Sequence, residues 1–162
     1  MRRRIIPAVF ALATATAFAA CGSDSSTTVL PTTTTYVSVM NGNNEVPARS
    51  TTATGTATYA LTGNILTYVV TVTGLTGPAT ASHIHVGGST VSGGVIVPFV
   101  TAGVASGSIT SGLIDLSQPV TNGSASITGD SLKVLLNNGQ AYTNIHTAQF
   151  GGGEIRGQIV KQ

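Results

Sequence analysis

From residue 36 to residue 160 the chain alternates apolar and polar positions in short runs, each closed by Gly, Asn or Pro. In "TGTATYAL" (54–61) and "ILTYVVTVT" (65–73) every second residue is apolar or small, and most of the residues between are Thr. A period of two puts alternate side chains on opposite faces of a strand, so each run has one face suited to a core. The pattern predicts strands at 36–41, 54–61, 65–73, 79–86, 95–100, 104–110, 140–147 and 154–160. The pair at 54–73 reads as a hairpin, because "TGN" supplies a turn between two β-rich runs.

One segment carries a helical period. In "GDSLKVLLNNGQ" (129–140), Leu132, Leu135 and Leu136 fall on one helix face, Asp130 or Ser131 is the expected N-cap, and "NNG" is a stop. The expected fold is all-β: an antiparallel β-sandwich or Greek-key barrel of about eight strands, with one short helix near 131–137.

Composition agrees with this and adds an N-terminal story. A chain of 162 residues with 7% charged side chains, 20 glycines and no Trp suits one strand-rich domain. The formal charge of +2 would suggest a nucleic-acid partner, but three of the seven basic residues are Arg2, Arg3 and Arg4. They precede the apolar run "IIPAVFALATATAFAA" and Cys21, the three-part form of an export signal, with an apolar stretch too short to span a bilayer comfortably. Without them four basic residues face five acidic ones, so no basic surface for phosphates remains and no nucleic-acid partner is expected.

Cys21 is the only cysteine, and "FAAC" resembles a bacterial lipobox with Phe18 where leucine is usual. The expected organisation is a signal peptide at 1–21 ending in a lipidated Cys21, a flexible Thr/Ser-rich tether at 22–35 and a folded domain at 36–162. The protein is then exported and held at the membrane by acyl chains, at the cell surface or in the periplasm, with a protein or envelope ligand as its partner.

The candidate chemistry lies in two motifs. "ASHIHVGG" (81–88) holds His83 and His85, and "NIHTAQFGGGEIRG" (144–157) holds His146. On a strand, His83 and His85 project from one face about 6.5 Å apart, a spacing suited to chelating one ion. Asn144 and His146 form a second same-face pair, and Glu154 and Arg156 a third. If the last hairpin lies beside strand 79–86, three imidazoles and a carboxylate could converge, and a three-imidazole site suits copper or zinc. The alternative is architectural: histidines hydrogen-bonded to backbone, to Asn144 or to Glu154, with Glu154 and Arg156 as an ion pair closing the hairpin. No Gly-x-Ser-x-Gly, phosphate loop, dinucleotide fingerprint or paired catalytic carboxylates occurs, so the residues name no reaction and a non-enzymatic role is expected.

The ordered series "NGNNEVP" (41–47), "ATGTATYAL" (53–61), "LTYVVTVTGLTGPATASHIHVG" (66–87) and "AYTNIHTAQFGGGEIRGQI" (141–159) resembles the CHRD domain. That module is named after chordin, an extracellular antagonist of bone morphogenetic proteins, and occurs in secreted microbial proteins. The resemblance implies an extracellular binding or envelope-associated module. It makes His83, His85, Asn144, His146 and Thr147 motif positions without assigning them roles. A proline often precedes the family's glycines; here Phe150 runs straight into Gly151. A looser likeness, to copper/zinc superoxide dismutase, stops at the His-x-His strand, since that enzyme needs further histidines and an aspartate. The readings left open are a non-enzymatic binding module and a metal-binding or redox protein.

Overall fold

The computed structural model describes residues 30–162, so the signal peptide, Cys21 and the tether up to residue 29 lie outside the described residues. The fold is all-β, with antiparallel pairing throughout. The strands are β1 (Thr33–Asn41), β2 (Thr54–Thr62), β3 (Ile65–Thr73), β4 (Ala79–Val86), β5 (Val95–Pro98), β6 (Gly107–Asp115), β7 (Val120–Asn122), β8 (Ala125–Ile127), β9 (Ala141–Thr147), β10 (Ile155–Gln158) and β11 (Val160–Lys161). Among the described residues one α-helix, α1 (Gly129–Asn137), precedes β9, and a short 3-10 turn at Gly42–Asn44 follows β1. A single sheet in the order β5-β4-β9-β10-β1-β2-β3-β6, with β11 also on β1, curls into a half-barrel; β7 and β8 form a separate hairpin. This resolves the choice between sandwich and barrel in favour of one curled sheet.

The alternation decides the inside. Leu66, Val70 and Val72 of β3 and Ala57, Tyr59 and Leu61 of β2 are buried, while the Thr residues between them face out. The hairpin turns on Gly63, whose φ of +60° is a left-handed conformation that glycine adopts without penalty. Two sheet edges, β5 and β6, would be open to pairing with other chains. The segment 99–106 between them bridges the gap: Phe99 stacks on Tyr68 at 4.4 Å, Phe99 N–H donates to Ser82 O, and the carbonyls of Val104 and Ala105 accept from Ala79 and Leu75.

Several expectations need correction. Thr33–Thr35, read as tether, extend β1, because they pair with Thr62, Leu61 and Ala60. The strand expected at 104–110 lies at Gly107–Asp115, since the carbonyls of Val104 and Ala105 serve the bridging segment instead. The strand expected at 95–100 stops at Pro98. The last strand is divided at Ile159, whose N–H bonds Ala141 O, although β10 and β11 keep one register along β1. β7 and β8 are joined by the two-residue Gly123–Ser124 turn, with Gly123 at a φ of +61°, a hairpin absent from the expected strands. The helix starts two residues early because its N-cap is Thr128, not Asp130 or Ser131: the Thr128 hydroxyl accepts from Ser131 N–H at 3.2 Å. Asp130 sits in the first turn, where the helix dipole favours a negative charge. Leu132 and Leu136 are fully buried, which seats the helix on the core.

Glu154 is fully buried, and among the described residues no cation lies within ion-pair distance of it. Its carboxylate accepts from Thr51 Oγ1 (2.9 Å), Thr76 N–H (3.0 Å), Thr76 Oγ1 (2.8 Å) and Thr147 Oγ1 (2.7 Å). Donors aimed at a carboxylate substitute for the water it has lost. Glu154→Ala should therefore lower the unfolding free energy by about 3 kcal/mol, because it strands several buried donors. Glu154→Gln keeps one oxygen and should cost less. Urea denaturation of the two variants checks the order, and equal losses would contradict this account of the contact.

Candidate metal centre

The polar site forms on the sheet face opposite the core. β4 and β9 pair so that Ala81 faces His146, His83 faces Asn144, and His85 faces Tyr142; β10 then sets Arg156 beside Asn144 and Gln158 beside Tyr142. Ile84, Thr143 and Ile145 alternate with these and turn inward, where the Thr143 and Tyr59 hydroxyls share a hydrogen bond of 2.8 Å. The period of two in "SHIHV" and "YTNIHT" thus delivers His83, His85 and His146 to one face.

The three imidazoles meet: one ring nitrogen from each lies within 4.8 Å of the others. His83 Nδ1 and His146 Nε2 are 3.1 Å apart. His146 Nδ1 is 3.0 Å from Gly151 O and His85 Nδ1 is 2.9 Å from Gly93 O. A carbonyl only accepts, so both Nδ1 atoms carry the proton and both Nε2 atoms present lone pairs. His83 Nδ1–H then donates to His146 Nε2. His85 Nε2 has no such donor and is buried without any hydrogen-bond partner. An orphaned buried acceptor is costly, and this one belongs to a ring whose neighbours are His83 and His146.

Electrostatics keep the rings neutral. Burial, then the neighbouring His146 and His85, push the His83 imidazole down to about 4. His85 is lowered mainly by burial, with its Gly93 hydrogen bond opposing and His146 and Arg156 adding to the fall. His146 is lowered by burial against the pull of Gly151 O. Neutral imidazoles are the form that ligates metal.

The expected carboxylate is not in this cluster. Glu154 turns to its threonines, and Thr147 faces it rather than the histidines. Glu154 and Arg156 form no ion pair: Glu154 lies before β10, after Gly153 with its φ of +118°, and so escapes the strand's alternation. Arg156 instead lies flat on Tyr142, its Cζ 3.4 Å from the ring centroid, and donates to Gly88 O at 2.7 Å. The Tyr142 ring also stacks on His85 at 4.9 Å and 12°. Asn144 hydrogen-bonds to none of the three histidines; its amide donates to Ile155 O and to the Glu45 carboxylate.

Two contributors escaped the sequence reading. Tyr142 was visible only as a same-face neighbour of Asn144, two residues away. Glu45, in "NGNNEVP", is the acid that reaches this side of the sheet, and burial raises its carboxyl above the usual range. Only the pairing of β9 with β10 and of β10 with β1 brings the loop after β1 onto this face.

The CHRD domain model matches residues 36–159, a span that holds every side chain just described. The chain belongs to the CHRD domain family. No curated protein and no solved structure matches it. CHRD domains are typical of extracellular proteins, in general as non-enzymatic modules. Among the described residues no helix is long and apolar enough to cross a membrane.

The lowered imidazoles give this CHRD domain a pH dependence. The unfolded chain takes up protons near pH 6.5 while the folded His83 resists until about 4, so the contribution to stability is full above 6.5 and shrinks as pH falls through that window. The melting temperature of metal-free protein should drop between pH 7.5 and 5. His83→Asn should flatten the drop, and an unchanged slope in that variant would count against neutral burial of this ring.

Proposed function

We propose that this chain is an exported, lipid-anchored CHRD module that holds one copper or zinc ion on His83, His85 and His146, in a binding rather than a catalytic role. The observation that carries the reading is the pair of loop carbonyls, Gly93 O and Gly151 O. They fix the tautomers of His85 and His146 and leave two Nε2 lone pairs beside His83 Nδ1. Carbonyls behind ligating imidazoles are the usual outer support of a metal site.

The spacing supports the same reading. Two nitrogens on one tetrahedral ion with bonds near 2.0–2.1 Å lie about 3.3 Å apart, close to the 3.1 Å between His83 and His146. Giving up the shared proton opens both nitrogens without moving either strand. Half-buried His83 has room to adjust, and the set leaves a further coordination position free. An ion held there supplies a Lewis acid or, with copper, a one-electron centre. No carboxylate belongs to the ligand set, so the imidazoles contribute no charge.

The competing reading, an envelope scaffold whose histidines only join strands, draws support from the same hydrogen bonds, since both tie loops to the sheet. Metal addition separates the two. Untagged protein should carry near-stoichiometric metal, and at one hundred times the dissociation constant the ion should stabilise the fold by about 2.7 kcal/mol, a rise of roughly 8 °C. His83→Ala and His85→Ala should abolish that rise. Absent metal and no shift in melting temperature would leave the scaffold. The anchor is tested separately: the full chain should partition into detergent, and Cys21→Ala should return it to the aqueous phase.

A further inference from the structure

A second concavity lies on the side of the Tyr142–Asn144 row away from His83 and His85. A cleft of about 460 Å³ opens between the 43–47 loop and Ser89–Thr90, with Arg156 and Gln158 among its lining residues. Pockets of this size take small organic ligands.

Three groups define what the cleft would accept. Arg156 is 2% exposed, yet Gly88 O is its single hydrogen-bond acceptor among the described residues, and no carboxylate there lies within ion-pair distance. A guanidinium has five N–H donors, so most of this buried fork is unused. Gln158 Nε2 is held by the carbonyls of Gly87, Gly139 and Ala141 at 2.7–2.8 Å, which fixes the amide; its Oε1 is buried and unpartnered. Glu45, 8% exposed, brings a carboxylate to the same wall. The cleft therefore offers unused cationic donors, an orphaned acceptor and an anionic group.

We propose that this cleft binds a small zwitterion of the amino-acid or dipeptide class, its carboxylate on Arg156 and its ammonium or amide N–H groups on Glu45 and Gln158 Oε1. A simple anion fits poorly, because Glu45 and Gln158 Oε1 would repel it. A sugar fits poorly too, because it lacks an open aromatic platform: Tyr142 is covered by Arg156 on its ring and stacked on His85. Val46 and Pro47 add apolar surface for a small side chain. This inference is independent of the metal reading.

The test is isothermal titration of full-length, detergent-solubilised, metal-free protein with L-alanyl-L-alanine, its N-acetyl derivative, its C-terminal amide, and acetate. The dipeptide should bind, each blocked form should bind at least about tenfold more weakly, and acetate should not compete. Ser89→Trp, which fills the rim, should abolish binding without changing the melting temperature. Lack of dipeptide binding, equal binding of a blocked form, equal binding of acetate, or retained binding in a folded Ser89→Trp protein would each overturn the proposal.

Discussion

Glu154 is a buried negative charge held by hydroxyl and amide donors from three separate stretches of chain: Thr51 after β1, Thr76 before β4, and Thr147 at the end of β9. A carboxylate in a dry interior must keep its donors, and so those stretches cannot drift apart without exposing a large desolvation cost. The constraint reaches the polar face directly. By accepting from Thr147 just ahead of β10, Glu154 closes the 148–153 turn, whose Gly151 carbonyl sets the tautomer of His146. The same turn brings Gly153 so close to Glu45 and Asn144 that a Cβ there would lie 2.5 Å from the Glu45 carboxylate and 2.7 Å from the Asn144 amide.

The opposite rim is built on a comparable close approach. A Cβ on Gly93 would stand 1.6 Å from Val86 O, so no other residue lets the chain pass there with the same backbone. Val86 N–H bonds Gly94 O and Gly87 N–H bonds Gln140 O, which fold the 87–94 loop back over β4. That loop contributes Gly93 O to His85 and Gly88 O to Arg156. Two loops with no chemistry of their own thus orient one imidazole each. They also explain how residues on the outward face of the sheet, such as Tyr142 and Asn144, come to be buried.

Much of this was legible because strands obey a strict period. His83 with His85, and Asn144 with His146, share a face by spacing alone, and an all-β fold follows from the Thr-rich alternation, which leaves sandwich and barrel both open. What sequence could not supply was the register of β4 on β9, strands separated by some 60 residues, since register between distant strands is chosen by tertiary burial. It likewise could not place Glu45, which acts through a loop. The expected Glu154–Arg156 pair fails because the strand begins at Ile155 rather than at 154, and the Glu154 carboxylate turns instead to Thr51, Thr76 and Thr147. Thr128 rather than Asp130 or Ser131 caps the helix: Ser131 donates its N–H to Thr128, and Asp130 pairs with Lys133 on the exposed face.

The stack of His85, Tyr142 and Arg156 joins the two halves of the polar face. A permanent positive charge on the far side of Tyr142 disfavours a second charge on His85, so Arg156 helps hold that imidazole neutral and its Nε2 lone pair available. The same charge also opposes any cation placed among the histidines, and Glu45, drawn to Arg156 and held by Asn144, offsets it in part. Moving the counter-charge one strand away from the imidazoles leaves their nitrogens as the only donors facing one another. An acid within that cluster would raise the rings' proton affinity and compete for their lone pairs; an acid behind Asn144 balances the guanidinium without doing either.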